Sequence, residues 1–302
     1  MSIAAPHPAR RPATPSALAV LTRHEVVGYA RSWTYLVGTA LCLAVVTTGL
    51  VGPDDETSST MTMIVPAATL GLLGLVVMAR LTRRSDESAA AAGAVATSES
   101  TRTLALVGAV VVPLATALVV FALLWWTYSA RPPAAGAVPF GPVDDAHVLA
   151  VMFALSVIPA VGGPLLGLLV ARWMPFRGAT ALAVVLLALV TIVLQGNFES
   201  TWRWKVVWPW TYWYGPLGWS TAGGDETHWV ATPGSPQLWI VYLLALCALG
   251  VVAALAHDAE APRGRLVRTA VALGLVALGA LALTMLLGLP DPAVNPVPGR
   301  AF

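Results

Sequence analysis

The sequence predicts an all-α polytopic membrane protein with about six to seven transmembrane helices. An amphipathic helix is expected ahead of the first span, and a helix-bearing cytoplasmic loop after the second. Three observations predict this. The 302-residue chain is 57% hydrophobic and 11% charged, with a mean hydropathy of +0.76, where a soluble domain carries about 25% charged residues. Seven apolar segments approach the ~20 residues that a helix needs to cross a bilayer core. The basic residues are divided unevenly between the loops that join those segments.

Residues 1–16 are rich in Pro, Ala and Arg and are expected to be disordered. Arg10-Arg11 is not followed promptly by an apolar core, so no cleavable signal peptide is expected. Residues 17–32 read ALAVLTRHEVVGYARS. On a helical wheel Leu18, Ala19, Val26, Val27, Tyr29, Ala30 and the following Trp33 share one broad side, with His24, Glu25, Gly28, Arg31 and Ser32 opposite. That pattern predicts an amphipathic helix lying on the inner membrane surface. A cytoplasmic extension of the first span is the alternative.

Residues 17–288 then form one transmembrane domain, with spans expected at 33–51, 61–79, 104–126, 147–171, 178–195, 237–256 and 266–288. Gly52-Pro53 breaks the chain after the first. After the second comes the longest inner polar stretch, residues 80–103, RLTRRSDESAAAAGAVATSESTRT. Arg83, Arg84, Asp86 and Glu87 lie near its start, an Ala run suits a helix, and residues 97–103 are rich in capping types. A soluble partner could grip such a segment; a flexible solvated loop is the alternative. The third span contains Pro113 and closes on Trp125, Trp126 and Tyr128, an interfacial anchor.

The fourth span is interrupted by Pro159, Gly162, Gly163 and Pro164. Such residues mark hinges or substrate paths in many transporters, or an ordinary kink that serves packing. Gly163 and Gly167 also permit close helix contact. Residues 196–236 hold seven of the twelve tryptophans: Trp202, Trp204, Trp208, Trp210, Trp213, Trp219 and Trp229. Tryptophan favours the headgroup zone, half buried with its N–H wet. This loop is expected to dip into or lie along the outer interface, as a cap over an exit path or simply as an anchor.

Orientation follows from charge. With the N-terminus in the cytoplasm, thirteen basic residues fall inside: Arg10, Arg11, Arg23, Arg31, Arg80, Arg83, Arg84, Arg102, Arg172, Arg177, Arg263, Arg265 and Arg268. Four fall outside: Arg131, Arg203, Lys205 and Arg300. The positive-inside bias therefore favours N-in and C-out, with the Pro-rich tail 289–302 external.

Several chemistries are missing. The chain has one lysine, Lys205, and no GxxxxGK[ST] loop, so ATP hydrolysis is not expected of it. Its five histidines are scattered, without metal-ligand spacing. Cys42 and Cys247 lie in apolar runs, where cysteine behaves as a small hydrophobe. No stretch is basic enough to argue for nucleic acid. No ionisable residue lies near the centre of a span, which disfavours ion-coupled transport and intramembrane acid–base catalysis. Uphill transport would then draw its energy from another polypeptide.

The order of these parts resembles the permease subunit of a bacterial ABC transporter, of the ABC type 2 exporter class. The segment LTRHEVVGYARSWTYL is similar to that family's connecting helix, with Arg23 and Glu25 in its motif and Arg31 at the membrane entry. RLTRRSDES and TSESTRTLAL are similar to its cytoplasmic coupling helix, matching at Arg83, Arg84, Asp86, Glu87 and Arg102. A late helix ending in His257-Asp258 also fits. A proline often found in the coupling loop is absent, Ala96-Thr97 standing there. The family norm is six spans where this sequence suggests seven.

The resemblance implies a homodimer or paired permease in the bacterial cytoplasmic membrane, surrounded by lipid. A separate cytoplasmic ATPase subunit would bind ATP and Mg. Glu25 and Arg31 would tie the connecting helix to the coupling helix by charge pairing. The cargo would be hydrophobic or amphiphilic, such as a drug, a lipid or a peptide-like compound. A membrane anchor or sensor component that recruits a cytoplasmic protein is the alternative from another class; an intramembrane lipid enzyme is disfavoured.

Overall fold

The computed structural model describes residues 16–51, 62–91, 97–130, 145–195, 206–210, 218–221, 227–231, 234–288 and 293–296. The expected N-terminal tail before residue 16, and Trp202, Trp204 and Trp213, lie outside the described residues.

Ser16 opens α1 (Ala17–Ala30); its side-chain oxygen accepts from the Ala19 amide at 3.3 Å, one of the donors that a helix start leaves open. The axis then bends by 56° into α2 (Trp33–Val51). The bend fits a helix set against the first span and not a straight extension of it. The two sides predicted from the sequence are not cleanly divided between bundle and surroundings. Glu25 and Tyr29 are buried against the bundle, while Leu18, Val20 and Val27 are exposed.

The second span starts with a 3-10 turn (Thr62–Ile64) and a π-helical turn (Ala67–Gly71), then runs on as α3 (Leu72–Ala91). Residues 80–91 therefore prolong the span, because an Ala run with flanking charges continues a helix readily. Among the described residues the stretch 80–103 contains no separate coupling helix. It consists of the last turns of α3 and the first turns of α4 (Glu99–Ala109). Ser98 caps α4, accepting from the Thr101 amide at 3.2 Å. A turn at Val110 leads into α5 (Val111–Ala130).

The remaining helices are α6 (Asp145–Trp173), α7 (Ala179–Gln195), α8 (Pro236–Leu255) and α9 (Arg263–Leu286). Ser235 caps α8, and Pro236 occupies its first position, where a missing N–H costs nothing. Among the described residues five helical stretches are long and apolar enough to cross a membrane, six if the bent α1–α2 pair is one span. The fold is an all-α polytopic membrane bundle.

One small sheet accompanies it: β1 (Gly218–Thr221), β2 (Thr227–Ala231) and β3 (Ala293–Pro296), antiparallel in the order β1-β2-β3. No strand is expected from the sequence, since each is only four or five residues long. The sheet decides connectivity. β2 precedes α8 and β3 follows α9, so these two helices form an out-and-back pair. The pair is also closed by the Ser235 amide donating to the Thr284 carbonyl at 3.3 Å. Gly234 and Gly288, with φ of +112° and +86°, let the two backbones meet there. α7 has 17 residues and brings the chain from the end of α6 back to the sheet end, a rise of about 26 Å.

α6 is the central helix, with 78% of its most apolar window buried inside the bundle. Pro159 and Pro164 lie within it, yet it runs unbroken from Asp145 to Trp173. The expected interruption is absent; each proline only removes one backbone donor from the ladder. Gly163 faces the π-helical turn and Gly167 faces α3 so closely that a Cβ would overlap the carbonyl oxygens of Gly71 and Leu75, respectively. The GxxxG spacing in Gly163-Pro164-Leu165-Leu166-Gly167 thus sets backbone against backbone.

Candidate functional site

Two regions carry the unusual chemistry, one at each side of α6. The first is a charged clasp at the end of the bundle opposite the sheet. Arg172, in the last turn of α6, is buried, with its side chain 3% exposed. Its Nη1 lies 2.6 Å from Asp86 Oδ1 on α3 and 3.2 Å from Glu99 Oε1 on α4. Its Nη2 donates to Thr103 Oγ1 at 3.3 Å. One guanidinium so bridges three helices, a task its planar fork performs better than an ammonium.

The turn between α8 and α9 joins the same cluster. His257 Nδ1 is 2.6 Å from Glu99 Oε1. Asp258 Oδ2 accepts from the Ser100 amide at 2.9 Å and its hydroxyl at 2.6 Å, while Oδ1 accepts from the Glu260 amide at 3.0 Å. These bonds, the Ser100 hydroxyl first, hold the Asp258 carboxyl below the usual aspartate range. Trp173 stands edge-on to His257, with ring centroids 5.3 Å apart, and donates its Nε1–H to the Ala253 carbonyl at 3.2 Å.

α1 lies alongside this clasp, with Thr22 against Gly108 of α4. Between α1, the end of α3 and the start of α4 is a cavity of about 260 Å³, lined in part by His24, Glu25, Arg84, Ser85, Ser88 and Arg102. Burial pushes the Glu25 carboxyl up, and the charges of His24 and Arg84 pull it partly back. Among the described residues no salt bridge ties Glu25 or Arg31 to the stretch 80–103: Glu25 faces this cavity, and Arg31 is exposed at the bend. Glu25 comes near the stretch 80–103 only as an inward carboxylate in the same cavity as Arg84. Arg23, Arg84 and Glu87 are exposed, Arg83 and Asp86 are half-buried, and Arg102 approaches Asp86 at 3.8 Å.

The second region is an apolar cleft between α6 and α8, of about 170 Å³, lined by Pro159, Gly162, Trp210 and Cys247 among others. Residues 206–210 enter the bundle to form its cap. Trp239 Nε1 donates to the Val206 carbonyl, and Tyr242 Oη to the Val207 carbonyl, both at 2.9 Å. Trp208 Nε1 donates to Thr191 Oγ1 at 3.3 Å. Trp210 is buried beside Leu75 and Leu187, its ring against Gly71. Trp210 is therefore packed among the helices and not exposed on the surface of the bundle. Of the four expected hinge residues, Pro159 and Gly162 line the cleft; Gly163 faces the π-helical turn and Pro164 faces α3 instead. Leu165 and Cys247 also line a shallower apolar groove toward α4 and α5.

The structure therefore gathers Asp86 and Arg102 into one cluster, and Pro159, Gly162 and Trp210 into another. Sequence reasoning missed Arg172, Glu99, Ser100 and Thr103 as clasp members. The available signal was a lone arginine closing a 29-residue apolar helix. Among the described residues no group of His, Cys, Asp or Glu could hold a metal ion. Comparison with protein-family models, with curated proteins and with solved structures finds no match.

Proposed function

We propose that this chain is the transmembrane permease subunit of an ATP-driven ABC transporter that exports a hydrophobic or amphiphilic compound. Its charged end would lie in the cytoplasm of a bacterial cell, its sheet end outside, and two permease chains would pair. The observation that carries this reading is the continuity between the clasp and the cleft. α6 holds Arg172 at one end and Pro159 and Gly162 in the cleft wall further along. A load applied to the ends of α3 and α4 would reach the cleft through a single helix.

A separate ATPase, binding ATP and Mg, would press on the exposed Arg23, Arg84 and Glu87. Asp86, Arg102 and Arg172 would pass the displacement to α6, and residues 206–210 would yield at the opposite end. Glu25 acts in this scheme by positioning α1, since its carboxyl is turned inward. Glu25→Ala is therefore expected to leave insertion into membranes intact while lowering stimulation of the partner's ATP hydrolysis severalfold. Full transport and full coupling in that variant would remove α1 from the mechanism. Recovery of a stably bound soluble protein without ATPase activity would favour an anchor or sensor instead.

A further inference from the structure

The cavity between α1, α3 and α4 carries both signs of charge at one end of the bundle, where an amphipathic helix meets the first span. Glu25 is nine-tenths buried, and among the described residues no hydrogen bond or ion pair reaches its carboxyl. Opposite it, Arg84 and Arg102 contribute two cations, and Ser85 and Ser88 add hydroxyl donors. Arg102 spends Nη1 on the Thr97 carbonyl at 3.4 Å and Nη2 on Asp86, but its Nε is buried without a partner. The chamber therefore holds a buried guanidinium donor without a partner, which is rare at equilibrium, and a carboxylate that opens into the same space.

Size and surroundings narrow the occupant. At about 260 Å³ the chamber falls below the ~300–1,000 Å³ of drug-sized pockets. Leu21 and Leu81 supply an apolar wall beside the charges. Leu18, Val20, Val27 and Trp33 are exposed on α1 and the start of α2, as befits a surface lying in lipid at headgroup depth. Arg84, without a salt bridge among the described residues, presents a cation to the chamber beside the unpartnered Arg102 Nε, which suits a phosphate. The buried carboxylate then asks for a cation that also donates hydrogen bonds, which a primary ammonium does and a quaternary one does not.

We propose that this cavity binds the headgroup of phosphatidylethanolamine, with the phosphate at Arg84, Arg102 and the two serines and the ammonium at Glu25. The lipid holds α1 against α3 and α4. The raised proton affinity of an empty Glu25 site is the physical cost that the ammonium offsets. This inference rests on the membrane fold alone and does not need the ATPase reading.

The test is native mass spectrometry of the full-length protein, with whatever subunits it retains, after equilibration in mixed micelles. The micelles contain equal amounts of phosphatidylethanolamine, phosphatidylcholine and phosphatidylglycerol. The wild type is expected to retain phosphatidylethanolamine about tenfold over phosphatidylcholine, as befits charge-assisted hydrogen bonds. Glu25→Gln, which removes a buried charge and so does not threaten folding, should bring that preference to within about twofold. Arg84→Ala, at an exposed position, should lower retention of all three lipids. Equal retention by the wild type, or an unchanged preference in Glu25→Gln, would overturn the proposal. Displacement of the lipid by an equal concentration of glycerophosphoethanolamine would overturn the lipid source and assign a soluble phosphoethanolamine. Occupation of the cavity by a co-purifying protein segment, with no lipid retained, would overturn it as well. Each readout is independent of ATP hydrolysis, so its failure is separable from failure of the transporter reading.

Discussion

At the scale of single residues the account turns on Arg172, which faces Asp86 and Glu99 at once. Removing one member of a buried ion pair leaves the other charges uncompensated and costs about 3–5 kcal/mol. Both carboxylates keep some contact with water, so Arg172→Ala is expected near the lower end, about 3 kcal/mol, read as a fall in melting temperature in detergent. Arg172→Lys should recover little, since an ammonium cannot fork between helices. Asp258 adds a pH dependence whose sign is fixed by its lowered pKa. Its tie to Ser100 contributes stability above the ordinary aspartate pKa of about 3.9 and loses it as pH falls through the depressed value. Glu25 runs the other way. Its raised pKa makes the fold most stable below the ordinary glutamate range, with stability lost as pH rises through the shifted value. Glu25→Gln should therefore stabilise the lipid-free protein at neutral pH and flatten that limb of a stability–pH curve, whereas Asp258→Asn should flatten the acid limb.

At the scale of elements, the contact between the second span and α6 depends on the absence of two side chains. Gly163→Leu would drive a side chain into the Gly71 carbonyl and should cost about 3 kcal/mol, the upper end of overpacking. Gly274→Ala, where an added Cβ meets nothing within 4 Å, should be silent in the same melting assay. The segment 206–210 offers a second test. Trp210 and Cys247 line the same cleft, so Trp210→Ala should raise labelling of Cys247 by a small lipophilic thiol reagent severalfold. Unchanged labelling would mean that Trp210 does not cap the cleft. Much of this layer was legible in the sequence. The spans followed from runs of apolar residues, and the close approach of α6 from the spacing of Gly163 and Gly167. The π-helical turn at 67–71 was not, because nothing in Ala-Ala-Thr-Leu-Gly distinguishes it from an α-helical turn. The inward position of Glu25 on α1 is not legible for a related reason. A wheel sorts residues by polarity, whereas Glu25 lies inward because a cavity with two arginines stands beside it.

At the scale of the whole molecule, the helices place the clasp residues at one end and the sheet at the other. The clasp itself could not be read from one sequence. His257 and Glu99 are 158 positions apart, and Arg172 and Asp86 are 86 apart; only the packing of α4, α6 and the α8–α9 turn reveals their contact. The polar stretch 80–103 was legible as a distinctive surface, but its form, two helix ends rather than a separate helix, follows from the Ala run continuing α3. The central claim is that this surface receives a motor. The most direct measurement is mild-detergent purification of the full-length protein from its own membranes, with ATP hydrolysis assayed on the product. The account predicts a co-purifying P-loop ATPase whose activity rides with the chain and is lost on charge reversal by Arg84→Glu with Glu87→Lys. A folded chain recovered without any ATPase, from cells in which a known transporter complex survives the same procedure, would contradict it.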